Sequence, residues 1–233
     1  MLKNRKVIIF DMDGTLIDSV GIWNQVDALL IARLRRDGRS EEENYQLQRD
    51  SALRRFQQEE NPYMAYCAFL REKYAMAETP REVHTIRYDI ANELLHKHID
   101  YKDGADRFLL HLKAEGYTLA LASATAKKNM EIYRLYNQNI RSKANIDDIF
   151  TLVYTRDDAP AMKPDPAIYQ MVLDTLGVQP EECLAFEDSL VGVEAAKKAG
   201  IPVAVIYDKY SDGERQQINA LADYTFDSFT QLL

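Results

Sequence analysis

The sequence predicts an α/β protein: a Rossmann-like parallel sheet with an all-helical block inserted after its first strand. Three observations predict it. Short, predominantly apolar runs at 7–10, 118–122 and 183–186 read as strands buried on both faces. From residue 103 onward, helical spacing and strand-like runs alternate regularly, with glycines as helix stops. Between residues 19 and 98 helical spacing continues with no convincing strand. The chain therefore divides into a core of residues 1–18 and 99–233 and a helical block of residues 19–98.

The first strand decides the chemistry. Val7-Ile8-Ile9-Phe10 runs straight into Asp11-Met12-Asp13-Gly14-Thr15. Open α/β sheets bind ligands just beyond the carboxyl ends of their strands, where Asp11 and Asp13 fall. Gly14 lets the chain turn away at once and leaves both acids at the sheet edge. Mg²⁺ takes hard oxygen ligands and often binds through one or two carboxylates plus a substrate phosphate. A carboxylate beside that ion can attack phosphorus, and a second carboxyl can trade protons with the leaving group and with water. The alternative is a strand ending in a solvated acidic turn.

Composition bounds the partners. The chain has 233 residues, 46% of them hydrophobic, and its 29 Lys+Arg against 37 Asp+Glu leave a net charge of −8. A nucleic-acid binder would show a basic surplus, so nucleic acid is excluded as the expected partner and a small phosphorylated metabolite is retained. The two cysteines, Cys67 and Cys183, stand far apart in apolar surroundings and read as buried hydrophobes in a reducing compartment. No run approaches the ~20 apolar residues of a membrane span, and none has the form of a secretory signal. A soluble, cytoplasmic monomer is the expectation.

In the helical block, Asp18 or Ser19 reads as the N-cap of a helix whose apolar face carries Ile22, Val26, Leu29, Leu30 and Leu34. Gly38-Arg39-Ser40 breaks it. A charged stretch over 41–60 follows, with a sparse apolar face of Tyr45, Leu47, Leu53 and Phe56. Asn61-Pro62 opens the next helix, and Thr79-Pro80-Arg81-Glu82 is a capping box with proline at the first helical position. Arg49, Arg54, Arg55, Arg71, Lys73 and Arg81 read either as a solvated helix face or as contacts for an anionic substrate. A helical block placed here would serve as a lid over the sheet edge.

Three further sites recur at strand ends. The strand 118–122 stops at Ser123-Ala124-Thr125 ahead of a helix carrying Met130, Tyr133 and Tyr136; Ser123 and Ala124 are the candidate phosphate holders, because free N–H groups there favour an anion, and Ser123 reads equally as a turn residue. The loop after a strand at 151–154 contains Lys163-Pro164-Asp165-Pro166; the proline restricts the Lys163 backbone, and a fixed ammonium would offset phosphate charge. Asp165 and Pro166 then read as the cap and first residue of a helix. The strand at 183–186 stops at Glu187-Asp188, adjacent acids that call for a compensating cation.

The first stretch resembles motif one of the haloacid dehalogenase-like hydrolase superfamily, Asp-x-Asp-Gly-Thr. Ser123, Lys163-Pro164-Asp165-Pro166 and Glu187-Asp188 are similar to its motifs two, three and four. The resemblance implies a Rossmann-like core with a helical cap of the C1 type. It implies Asp11 as nucleophile, Asp13 as general acid/base, Ser123 and Lys163 as phosphate holders, and Mg²⁺ held by the Asp11 side chain, the Asp13 backbone carbonyl, Glu187 and Asp188. Dehalogenases of this superfamily lack the second acid, so Asp13 favours phosphoryl chemistry. The rival reading is a phosphomutase of the β-phosphoglucomutase type. Those enzymes carry a cap histidine shortly after the nucleophile, whereas Trp23 stands near that position here and the first histidine is His84.

Overall fold

The computed structural model describes residues 1–38, 45–56 and 58–233. Arg39 and Ser40 of the expected helix break, with the first residues of the charged stretch, lie outside these. Two compact units emerge: Met1–Val20 with His96–Leu233, and Gly21–Leu95.

The first unit opens with β1 (Val7–Phe10). The second holds α1 (Val20–Leu34), α2 (Tyr45–Arg55), α3 (Pro62–Lys73) and most of α4 (Pro80–Lys97). The first then resumes with α5 (Ala105–Ala114), β2 (Thr118–Ala122), α6 (Lys127–Glu131), α7 (Gln138–Lys143), α8 (Ile146–Ile149), β3 (Leu152–Tyr154), α9 (Ala167–Leu176), β4 (Cys183–Glu187), α10 (Leu190–Lys198), β5 (Val203–Ile206), α11 (Arg215–Leu221) and β6 (Tyr224–Phe226).

The six strands form one parallel sheet in the order β3-β2-β1-β4-β5-β6. Strand order reverses beside β1, and such a switch point opens a crevice at the carboxyl edge. Phe10 is level with Leu121 on one side and Phe186 on the other, so the residues that follow all three strands emerge together. Side-chain alternation separates two cores. Phe10, Phe108, Phe186 and Phe229 make an aromatic cluster, with Phe10 stacked on Phe186 at 4.9 Å. Val7, Ile9, Ala120 and Ala185 pack with Tyr169 and Val172 of α9 and with Val193 and Ala196 of α10. Both cysteines are free and buried, and among the described residues no helix is long and apolar enough to cross a membrane.

Several details depart from the sequence reading. In α1, Leu29 is half-exposed and Ile31 takes its place inside, because three consecutive apolar residues cannot share one helical face. In α2, Leu47 is exposed and Ala52 is buried. Helix α9 starts at Ala167, one residue later than expected; the Asp165 carboxylate accepts the Ala167 N–H at 2.9 Å. The expected terminal helix is a single 3₁₀ stretch, Phe229–Leu232.

The helical unit has a polar centre that the apolar pattern concealed. On α4, Val83, Arg87, Ala91 and Leu95 share one buried face at a spacing of four. Asp27 of α1 is fully buried and accepts from Arg87 Nε at 2.7 Å, Arg49 Nη1 at 3.0 Å and the Tyr66 hydroxyl at 3.1 Å. Arg87 also lies over the Trp23 ring at 4.9 Å. Arg49, read as surface charge or substrate contact, is thus buried on a carboxylate. Removing that carboxylate would strand two guanidiniums in a low-dielectric interior, which costs about 3–5 kcal/mol. We expect Asp27→Ala to lower stability by about that much in urea unfolding, and a loss below about 1 kcal/mol would contradict a structural role.

Candidate active site

At the carboxyl edge of the sheet, Asp11 follows β1 and its N–H donates to the Phe186 carbonyl at 3.0 Å. Its side chain is thereby held beside the end of β4. Asp11, Glu187 and Asp188 are buried and place carboxylate oxygens within 4.8 Å of one another. Lys163 is set between two of them: its Nζ donates to Asp11 Oδ1 at 2.6 Å and to Glu187 Oε1 at 2.5 Å. The Tyr169 hydroxyl donates to the same Glu187 oxygen at 2.5 Å. The Thr15 hydroxyl donates to Asp188 Oδ1 at 2.7 Å.

Two glycines make room for this cluster. Gly14 has φ +87°, and a Cβ there would overlap the Asp188 carboxylate; a Cβ at Gly192 would overlap the Glu187 carboxylate. Lys102 pins the loop after β1, donating to the Gly14 carbonyl and pairing with Asp208 at 2.7 Å.

Asp13 is not one of the three acids whose carboxylate oxygens meet within 4.8 Å. The Ser19 hydroxyl donates to its Oδ1, and so does the Tyr133 hydroxyl, at 3.0 Å. Ser19, read as a helix cap, therefore spends its hydroxyl on Asp13. Ser123 is buried, its Oγ accepting the Thr125 N–H at 3.2 Å, while Ala124 is exposed. The expected helix behind them is interrupted: α6 gives way to a π-turn, Ile132–Tyr136. Tyr133 and Tyr169, which donate to Asp13 and Glu187, were the neighbours of the candidate acids that sequence reasoning missed. Their signal was a phenol on an otherwise apolar face, since a buried tyrosine hydroxyl generally needs a partner.

The electrostatics are those of a site short of positive charge. Burial works against the Lys163 ammonium, but Asp11 and Glu187 outweigh it and hold its pKa well above the ordinary value. Burial pushes the Glu187 carboxyl up to about 7. Burial, with the charges of Asp11 and Glu187, carries Asp188 well above the usual carboxylate range. Burial likewise lifts Asp13 to about 6, against the hydrogen bonds from Ser19 and Tyr133. Three clustered acids facing one ammonium, with Glu187 Oε2 buried and lacking a partner, suit a divalent cation bound by hard oxygen donors.

This charge deficit makes a stability prediction. A carboxyl whose pKa is raised by folding binds more protons folded than unfolded, so stability falls as pH rises through that window. For Glu187 the window runs from its ordinary 4.5 to about 7. In EDTA, the melting temperature should fall between pH 5 and pH 7.5, and Glu187→Gln should flatten that decline. A parent profile that rises over this range would contradict the burial argument.

A family profile described as haloacid dehalogenase-like hydrolase matches residues 5–200. YhcW of Bacillus subtilis is 34% identical over 108 residues, so the match spans 46% of this chain and 46% of that relative. The phosphorylated carbohydrates phosphatase of Thermotoga maritima is 30% identical over 196 residues, 84% of this chain and 82% of its own. Among solved structures, CbbY from Rhodobacter sphaeroides in complex with phosphate is 25% identical and superposes with a TM-score of 0.71, covering 98% of this chain and 96% of that one.

Proposed function

Because this chain belongs to the haloacid dehalogenase-like hydrolases, we propose that it is a Mg²⁺-dependent phosphatase that cleaves a small phosphorylated carbohydrate through an aspartyl-phosphate. The observation that carries the reading is the buried group of Asp11, Glu187 and Asp188 around Lys163, with Asp13 held separately by its own donors. Two carboxyl groups in different surroundings can divide nucleophilic and proton-transfer work between them.

Asp11 attacks phosphorus. As the new P–O bond forms, the bond to the leaving oxygen breaks and Asp13 gives that oxygen its proton. The Asp13 carboxylate then takes a proton from water as that water attacks the aspartyl-phosphate, freeing phosphate and regenerating Asp11. Lys163 offsets charge on the transferred group, and Ser123 with the backbone at Ala124 holds its oxygens. Asp11, Glu187, Asp188 and the Asp13 carbonyl are the residues to hold Mg²⁺, which when bound neutralises phosphate charge. Glu187 also has a second task, since its Oε1 receives both Lys163 and Tyr169 and so fixes the ammonium.

The carbohydrate class rests on the Thermotoga relative. In this reading, substrate choice falls to the helical unit Gly21–Leu95. The absence of histidine from α1 weighs against the mutase reading.

The test is a panel of hexose, pentose and triose phosphates, assayed with Mg²⁺, with EDTA and with Asp11→Asn as the blank. We expect the parent to release phosphate with Mg²⁺, and EDTA or the substitution to reduce release to background. Phosphate release by Asp11→Asn at the parent rate would refute the nucleophile. Conversion of a hexose 1-phosphate to its 6-phosphate, without free phosphate, would establish the mutase instead.

A further inference from the structure

We propose that Tyr133 is a positioning residue which, with Ser19, holds Asp13 Oδ1 as a hydrogen-bond acceptor and thereby assigns proton transfer to Oδ2. The inference rests on the reading of Asp13 as general acid.

After α6 the chain inserts an extra residue into the helical turn, and the Asn137 N–H reaches the Ile132 carbonyl, five residues back, at 2.9 Å. Helical spacing would set Tyr133 and Tyr136 on one face. The π-turn separates them instead: Tyr133 is fully buried, whereas Leu135 and Tyr136 are 50% and 58% exposed. Such single-turn bulges cluster at functional sites because they re-aim side chains. Here the re-aimed phenol crosses 120 residues of sequence to meet Asp13 Oδ1.

Chemistry then distinguishes the two oxygens. A hydroxyl has one proton to give, and an ionised carboxylate only accepts. Two hydroxyls already point at Oδ1. A proton placed on Oδ1 would break one of those bonds, whereas a proton on Oδ2 breaks neither. The carboxyl is thus locked in rotation with one defined oxygen left to serve the leaving group. Fixing a proton donor in reacting geometry is what makes general acid catalysis efficient.

The proton matters only when the leaving group needs it. An alkoxide is a poor leaving group without a proton, whereas 4-nitrophenolate departs readily without one. The value of kcat/KM reports phosphoryl transfer to Asp11, the step in which that group leaves. The experiment compares 4-nitrophenyl phosphate with hexose 6-phosphate, pentose 5-phosphate or glycerol 2-phosphate, whichever alkyl ester the parent turns over fastest. We expect Tyr133→Phe to lower kcat/KM for the alkyl ester about tenfold, and for the aryl ester less than about threefold. Asp13→Asn should show the same selectivity more strongly, about a hundredfold on the alkyl ester. Aryl turnover in each variant reports an intact site.

If Asp13→Asn discriminates between the esters but Tyr133→Phe slows them equally or not at all, the positioning role is overturned and the proposed reaction stands. If Asp13→Asn itself slows both esters equally in kcat/KM, the assignment of Asp13 as acid fails and the inference fails with it.

Discussion

The site depends on one cation of its own, the Lys163 ammonium, wedged between Asp11 and Glu187. Without it Asp11 and Glu187 would lose their shared counter-charge, and the burial that already raises Glu187 and Asp188 would go less opposed. The rest of the local structure serves that ion pair. Tyr169 rises from α9 to donate to the same Glu187 oxygen. Gly192 yields the space the Glu187 carboxylate occupies, and Gly14, with its positive φ, does the same for Asp188. Lys163 touches two of the three acids and Lys102 is already paired with Asp208, so the buried acids keep a surplus of negative charge, which is the physical case for a divalent cation.

Convergence is a property of the sheet. Parallel pairing of β1 with β2 and β4, in register at Phe10, delivers Asp11, Ser123 and Glu187 to one edge from distant points of the sequence. The aromatic cluster around Phe10 and Phe186 fixes that register from beneath, so the geometry of the acids follows from the packing of the core. The two carboxyls proposed as nucleophile and proton carrier differ in their surroundings. Asp11 faces Lys163, while Asp13 faces two hydroxyls.

Much of this was legible in the residues. Strands buried on both faces announce themselves as apolar runs, and β1, β2 and β4 fall where the sequence reading placed them. The capping box at Thr79 forms, with Glu82 accepting the Thr79 N–H at 2.8 Å. What escaped were polar groups set in apolar patterns. Arg87 occupies a core position of α4 because Asp27 pairs with it, and no periodicity signals a partner sixty residues away. Tyr133 was expected on a continuous helix, but a π-turn is invisible to a search for 3.6-residue spacing. Hydroxyls such as Ser19 offer equal promise as caps and as ligands of a side chain, and only tertiary structure chooses between them.

The claim that Asp11 and Asp188 share one divalent cation beside the transferred group is tested most directly by a crystal structure with Mg²⁺ and beryllium fluoride. The account predicts a single Mg²⁺ coordinated by carboxylate oxygens of Asp11 and Asp188, with the fluoroberyllate bonded to Asp11 and in contact with Lys163. A fluoroberyllate attached elsewhere, or a Mg²⁺ that leaves Asp188 uncoordinated, would contradict it.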